Sequence, residues 1–197
     1  MAIRIEKTFQ VQEPVESVWK LLIDPRKVAS CVPGAKITDS VDERTYKGFV
    51  RVQVGPSITD YKGQLQIERI DEQNHEIEIA GKGQDVRGKG SASMKMTGKV
   101  QPHPDGGSEV VSVSEVNVVG FLAQMGARMI NEVSNKIFAE FTVNVRVQLE
   151  QGRVTGSDAT PARTGTEEPQ PIDASRLALS VAKDSVTKLV KQVFKKS

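Results

Sequence analysis

Residues 120–150 read GFLAQMGARMINEVSNKIFAEFTVNVRVQLE, and the spacing of the large apolar side chains in this stretch decides the fold. Leu122, Met125, Met129, Val133, Ile137, Phe141, Val145 and Leu149 recur every three or four residues, which lines them along one side of an α-helix. Helical throughout, the stretch spans roughly 45 Å at about 1.5 Å per residue, so its apolar stripe needs a broad cover. At its start Phe121, Leu122, Met125 and Met129 are large and adaptable, while Ala123, Gly126 and Ala127 beside them are small. Methionine suits irregular apolar space, so this end reads either as ordinary core or as the lining of a cavity.

The cover is supplied by the chain that precedes it. Ile3–Val11 (IRIEKTFQV) places Ile3, Ile5, Phe9 and Val11 on one face of a half-buried strand. The period then changes to helical over VESVWKLLID, with Pro14 where a helix begins and Asp24-Pro25 where it stops. A second short helix, RKVASC, ends before the turn pair Pro33-Gly34. From Lys36 to Val119 six further alternating segments are joined by short turns, which favours antiparallel neighbours. Their apolar face includes Val52, Tyr61, Leu65, Ile67, Ile79, Met94 and Met96, and their polar face Arg51, Gln64, Glu78, Lys95 and Lys99. Glycines inside the strands, such as Gly48, Gly63, Gly81 and Gly83, imply strong curvature. The expected fold is therefore α+β, a curved seven-stranded antiparallel sheet around a long C-terminal helix, with two short helices after the first strand.

Composition bounds the function. No apolar run reaches the 18 residues of a spanning helix, and the start MAIRIEKTFQV lacks the regions of a secretory signal, so a cytoplasmic location is expected. One cysteine, Cys31, and two isolated histidines, His75 and His103, offer no disulfide and no metal-ligand cluster. Within a net charge of +2, residues 171–197 carry six cations and two anions, a balance of +4, which leaves −2 on residues 1–170. A nucleic-acid-binding body would be basic and rich in stacking aromatics, so nucleic acid is set aside. Glu115, Asn117 and Tyr61 are candidates to orient the polar end of a ligand, Asp85-Val86-Arg87 reads as a charged hairpin tip, and neither histidine has a recognisable base or nucleophile partner.

The order of elements resembles the helix-grip superfamily, which includes START domains, plant pathogenesis-related allergens, polyketide cyclases and a coenzyme Q-binding branch. More narrowly, VWKLLIDPRKVASCVPGA (18–35), GKGSASMKMTG (88–98) and GFLAQMGARMI (120–130) resemble the carbon monoxide dehydrogenase G subunit (CoxG) family. The resemblance covers about residues 1–150. It implies an apolar pocket between helix and sheet, and association with a molybdenum-containing hydroxylase of the carbon monoxide dehydrogenase type. It does not imply that this chain holds molybdenum, copper, flavin or iron and sulfur. Pocket-facing positions are then expected at Val52, Tyr61, Leu65, Ile79, Met94 and Met96 on the sheet and Phe121, Leu122, Met125, Met129 and Val133 on the helix.

Residues 151–171, QGRVTGSDATPARTGTEEPQP, have nothing with which to build a core and read as a disordered linker, with a reach of roughly 25 Å as flexible coil. Residues 172–197 regain a helical period, with Leu179, Val186, Leu189, Val190, Val193 and Phe194 on or beside an apolar stripe flanked by Lys183 and Lys195. Such a basic amphipathic helix can lie on a membrane, dock into a partner's groove or fold back; lysines near anionic lipid contribute about 1 kcal/mol each, which favours the membrane. The reading that joins both halves is a non-enzymatic carrier. It takes a respiratory quinone as a bound ligand, with menaquinone and ubiquinone not distinguished, and links membrane lipid to the oxidoreductase from the cytoplasmic face of the membrane. Its alternatives are a membrane-recruitment adaptor or assembly factor without ligand transport, and a cyclase or hydrolase acting on a hydrophobic substrate.

Overall fold

Strict alternation of apolar and polar residues makes the strands, and each period change makes a helix. A computed structural model describes residues 1–55 and 57–155, without the side chains of Val54 and of residues 153–155. In chain order the elements are β1 (Ala2–Val11), α1 (Val15–Leu22), α2 (Pro25–Cys31), β2 (Ala35–Ser40), β3 (Thr45–Val54), β4 (Ser57–Asp71), β5 (Glu76–Asp85), β6 (Gly90–Pro102), β7 (Ser108–Gly120), α3 (Phe121–Gln124) and α4 (Gly126–Thr155). The expected α+β architecture is the observed one. Seven strands form one sheet in the order β1-β7-β6-β5-β4-β3-β2, every neighbouring pair antiparallel.

Local chemistry explains the short helices. Asp24 caps α2 by accepting from the backbone N–H groups of Arg26 and Lys27, and Pro25 occupies the first position, where no N–H is needed. Trp19 on α1 donates from Nε1 to Glu72 at 2.8 Å and packs edge-on against His75, fastening the helix to the β4–β5 turn. His75 itself belongs to that turn, with φ at 49°, and β5 begins at Glu76.

Small residues face one another in the middle of the sheet. Gly63 pairs with Gly83 across β4 and β5, and a Cβ added to Gly63 would lie 2.0 Å from the Lys82 carbonyl oxygen. Only glycine allows the strands this approach.

Two corrections concern the long helix. It begins at Gly126, and residues 121–124 form a separate short turn of helix; Gly126 takes φ of +80°, a conformation open to glycine, and the chain turns there. It also continues through Thr155, into the stretch read from composition as linker. The rest of that linker and the basic helix expected at 172–197, with Leu179, Lys183, Val186, Leu189, Val190, Val193, Phe194 and Lys195, lie outside the described residues. No helix among the described residues is long and apolar enough to cross a membrane.

Candidate functional site

The inner face of the sheet is packed tightly at one end and more loosely toward the other, where Val118, Tyr61 and Asp85 are nevertheless buried. At the packed end Phe9, Val11, Ile67, Ile77, Val100 and Val110 are buried together with Val18, Trp19, Leu21 and Cys31 of α1 and α2 and Val145 and Leu149 of α4. The helix is tied down here. Phe138 and Phe141 meet Phe9 edge-on at 5.8 and 6.1 Å, Asn144 donates to the Cys31 carbonyl at 2.9 Å, Arg146 to the Gln10 carbonyl at 3.1 Å, and Gln148 to Ser30 at 3.1 Å.

Toward the Gly120 end the pattern changes. Ile3, Ile5, Leu65, Met94, Met96 and Val116 share the inner face by register, and every one of them is only half-buried. Met129, Ile130 and Val133 of α4 are half-buried too, and among the described residues the one side-chain hydrogen bond made by residues 126–134 is Arg128 to Glu132, within the helix. Leu65, Met94 and Met96 also pack against the core cluster, so apolar surface on sheet and helix is only partly covered here, along a trough. Its floor is β1, β7, β6, β5 and β4; its roof is the first half of α4.

The positions expected to face a pocket fall as follows. Val52, Tyr61, Leu65, Ile79, Met94 and Met96 all lie on the inner face, in register across β3 to β6. Leu65, Met94 and Met96 are half-buried in the trough, Val52 is half-buried farther out on β3, Tyr61 is buried, and Ile79 belongs to the packed core. Leu122, Met125, Met129 and Val133 are half-buried; Phe121 keeps 36% of its surface exposed and marks the rim.

Polar groups also reach the inner face. Asp85, expected at a charged tip, is buried, because strand alternation carries its side chain inward next to Tyr61. It accepts from the Thr59 hydroxyl and from the Arg87 backbone N–H, leaving Val86 and Arg87 as the exposed tip. The Thr59 hydrogen bond, helped by the backbone N–H groups of Arg87 and Lys89, holds the Asp85 carboxyl below the usual carboxylate range against the desolvation that would raise it. Burial, and then the Asp85 charge, push the Tyr61 phenol up. Lys7 is the second polar station: it faces inward between Ile5 and Phe9, donates to Asn135 of α4, and lies 5.6 Å from the Phe138 ring centre. A strict count of two from Ile3 to Val11 lands on Lys7, which is the signal that finds it. Glu115 and Asn117 point to the outer face, exposed, and take no part in the trough. Cys31 is fully buried and its thiol is pushed up by desolvation, while His75 meets Glu16 at 3.2 Å. The described residues hold no group of three or more His, Cys, Asp or Glu side chains suited to a metal ion.

The open end of the trough carries exposed apolar residues. Ile58, Val86 and Phe121 are 43%, 48% and 36% exposed. Backbone bonds from Val86 to Asp60 and from Phe121 to Lys89 hold the three segments side by side, with Arg87 and Lys89 exposed among them.

An antiparallel sheet gripping one long helix, with apolar surface left between them, defines a START-like helix-grip protein. Solved structures share the fold: a conserved protein from Geobacillus kaustophilus (TM-score 0.69, 19% identity, covering 76% of this chain and 97% of that one), an aromatase/cyclase from Streptomyces (0.58, 13%, 81% and 100%) and a START superfamily protein from Mycobacterium smegmatis (0.54, 11%, 75% and 97%). No curated protein matches the sequence. Over residues 8–150 the sequence matches the carbon monoxide dehydrogenase G subunit (CoxG), and the chain belongs to that family.

Proposed function

We propose that the protein binds a hydrophobic isoprenoid molecule, a respiratory quinone, in the trough beneath the first half of α4, and carries it between the membrane and an oxidoreductase of the carbon monoxide dehydrogenase type. The observation that carries this reading is the half-buried apolar strip formed by Ile3, Ile5, Met94, Met96 and Val116 under Met129 and Val133. A packed core would bury these side chains on one another; an isoprenoid chain laid along them completes the burial at about 0.8 kcal/mol per CH2 before ordering costs. The Tyr61 hydroxyl has no hydrogen-bond partner among the described residues, and beside Thr59 and Asp85 it offers a donor for a quinone oxygen at the open end. Family membership supports the partner, and the rim of Ile58, Val86 and Phe121 with Arg87 and Lys89 supports a membrane-facing mouth. Binding rather than catalysis is the task in this reading, and the molecule works as a peripheral protein on the inner face of the membrane through residues 172–197.

The test is mass spectrometry of the organic extract of the full-length protein, purified without detergent from its own host, beside a chain ending at Thr155 and a Ser114→Trp variant that fills the trough. About one isoprenoid quinone per chain is expected in the first two, and at least a tenfold loss in the third with the melting temperature little changed. No lipid in any of the three, with vesicle binding retained by the full chain, overturns the carrier and leaves an adaptor.

A further inference from the structure

Charge divides the outer face of the sheet into two ends. At one end Arg69 is held by Asp71, Glu76 and Glu78 at 3.3, 3.3 and 2.8 Å, and Lys99 by Glu76 at 2.9 Å, so the cations are neutralised on the protein's own surface. At the other end a shallow groove of about 640 Å3 crosses the sheet, lined by Lys47, Lys62 and Lys82 with Gln64, Gln84 and Ser93 between them. Register produces this alternation: Lys47 pairs with Gln64, Gln64 with Lys82, Lys82 with Ser93, and Lys62 with Gln84. The backbone of Gly63 and Gly83 forms part of the floor, where no side chain intrudes, and no carboxylate among the described residues lines the groove. All three lysines are exposed, and among the described residues none of their ammonium groups has an ion pair or a hydrogen bond.

We propose that this groove is the docking surface for an acidic protein surface, and that the partner is the oxidoreductase; the partner's identity rests on the proposed function, the chemistry of the surface does not. Three cations on adjacent strands repel one another while nothing opposes them, and a facing cluster of carboxylates relieves that repulsion and steers association. The amides and hydroxyl between the lysines add donors and acceptors of the kind a protein surface satisfies. A bilayer is a poorer fit. Ile58, Val86 and Phe121, apolar residues suited to insertion, lie at the trough's rim, whereas the groove presents one exposed large apolar side chain, Val119, among its lysines, amides and hydroxyls. Groove and mouth adjoin, since Lys62 and Gln84 of the groove also line a second hollow with Asp85, Val86 and Gly88, so a partner seated on the groove lies beside the mouth.

The experiment measures binding of the full-length chain to purified holoenzyme of the carbon monoxide dehydrogenase type from the same host, by interferometry at low and raised ionic strength. Wild type binds and weakens as salt rises. Lys62→Glu/Lys82→Glu binds at least ~10-fold more weakly, through slower association, while Lys20→Glu/Lys136→Glu, with the same charge change on exposed residues elsewhere, stays within ~2-fold of wild type. Lys62→Gln/Lys82→Gln falls between them, and all variants keep the wild-type melting temperature, vesicle binding and ligand content. A groove variant that binds the enzyme like wild type overturns the groove and leaves the carrier reading standing. Failure of wild type to bind the enzyme overturns the proposal together with the partner in that reading. Loss of binding to anionic vesicles or to a DNA duplex, with enzyme binding intact, assigns the groove to lipid or nucleic acid and overturns the proposal equally.

Discussion

Asp85 sits where the trough opens, accepting the Thr59 hydroxyl and the Arg87 N–H, with Tyr61 as its cross-strand neighbour. Its carboxyl is held below the usual range, first by Thr59, so the folded chain favours the carboxylate more than the unfolded chain does. The stability this supplies is fully present above the unfolded carboxyl range, near about 4, and is lost as pH falls through the lower folded value. Asp85→Asn is therefore expected to be less stable than wild type near neutral pH, with the difference shrinking as pH drops below about 4. Urea unfolding of both chains across that range checks it, and a difference that does not change with pH sinks the assignment. The sequence hid this residue. Asp-Val-Arg beside glycines has the composition of a turn, and a strand that runs one residue further into such a segment turns its last side chain toward the inner face.

At the scale of elements, α4 is two helices in mechanical terms. Its second half is locked by Phe138, Phe141, Asn144, Val145 and Leu149; residues 126–134 have no side-chain hydrogen bond to the sheet among the described residues. Amides of residues 129–134 are expected to exchange hydrogen at least ~10-fold faster than those of 141–149 in ligand-free protein, and to slow when quinone is added. Equal protection along the whole helix would mean that the trough is a finished core. The stripe from Met129 to Leu149 was legible because a period of 3.6 has few competing explanations over that length. The break at Gly126 was not. A single glycine inside a helical pattern is compatible with a continuous helix, and only the path of the chain around the end of β7 requires the positive φ found there.

For the whole molecule, the trough lies on the inner face of the sheet and the groove on its outer face, with the rim adjoining the groove at Val86. A chain ending at Thr155 is expected to keep its melting temperature and its trough ligand while losing at least ~100-fold in partition onto anionic vesicles, as the tail's lysines and apolar stripe go together. Flotation with full-length and shortened chains measures this. Equal flotation would place membrane contact on the rim of Ile58, Val86 and Phe121 alone.

By itself the sequence determined the α+β class, the number of strands, both short helices and the face each strand buries, because alternation and helical period are local properties and the Asp24-Pro25 cap is a local chemical event. It also places the excess positive charge in residues 171–197, since composition needs no coordinates. Tertiary structure decided which inner-face residues are core and which line a trough. Ile79 and Met94 look alike in a strand pattern, and only the place where α4 is tied down buries one and leaves the other half-open. The outer groove was likewise a tertiary result: Lys47, Lys62 and Lys82 are far apart in sequence, and the registers of β3, β4 and β5 bring them together.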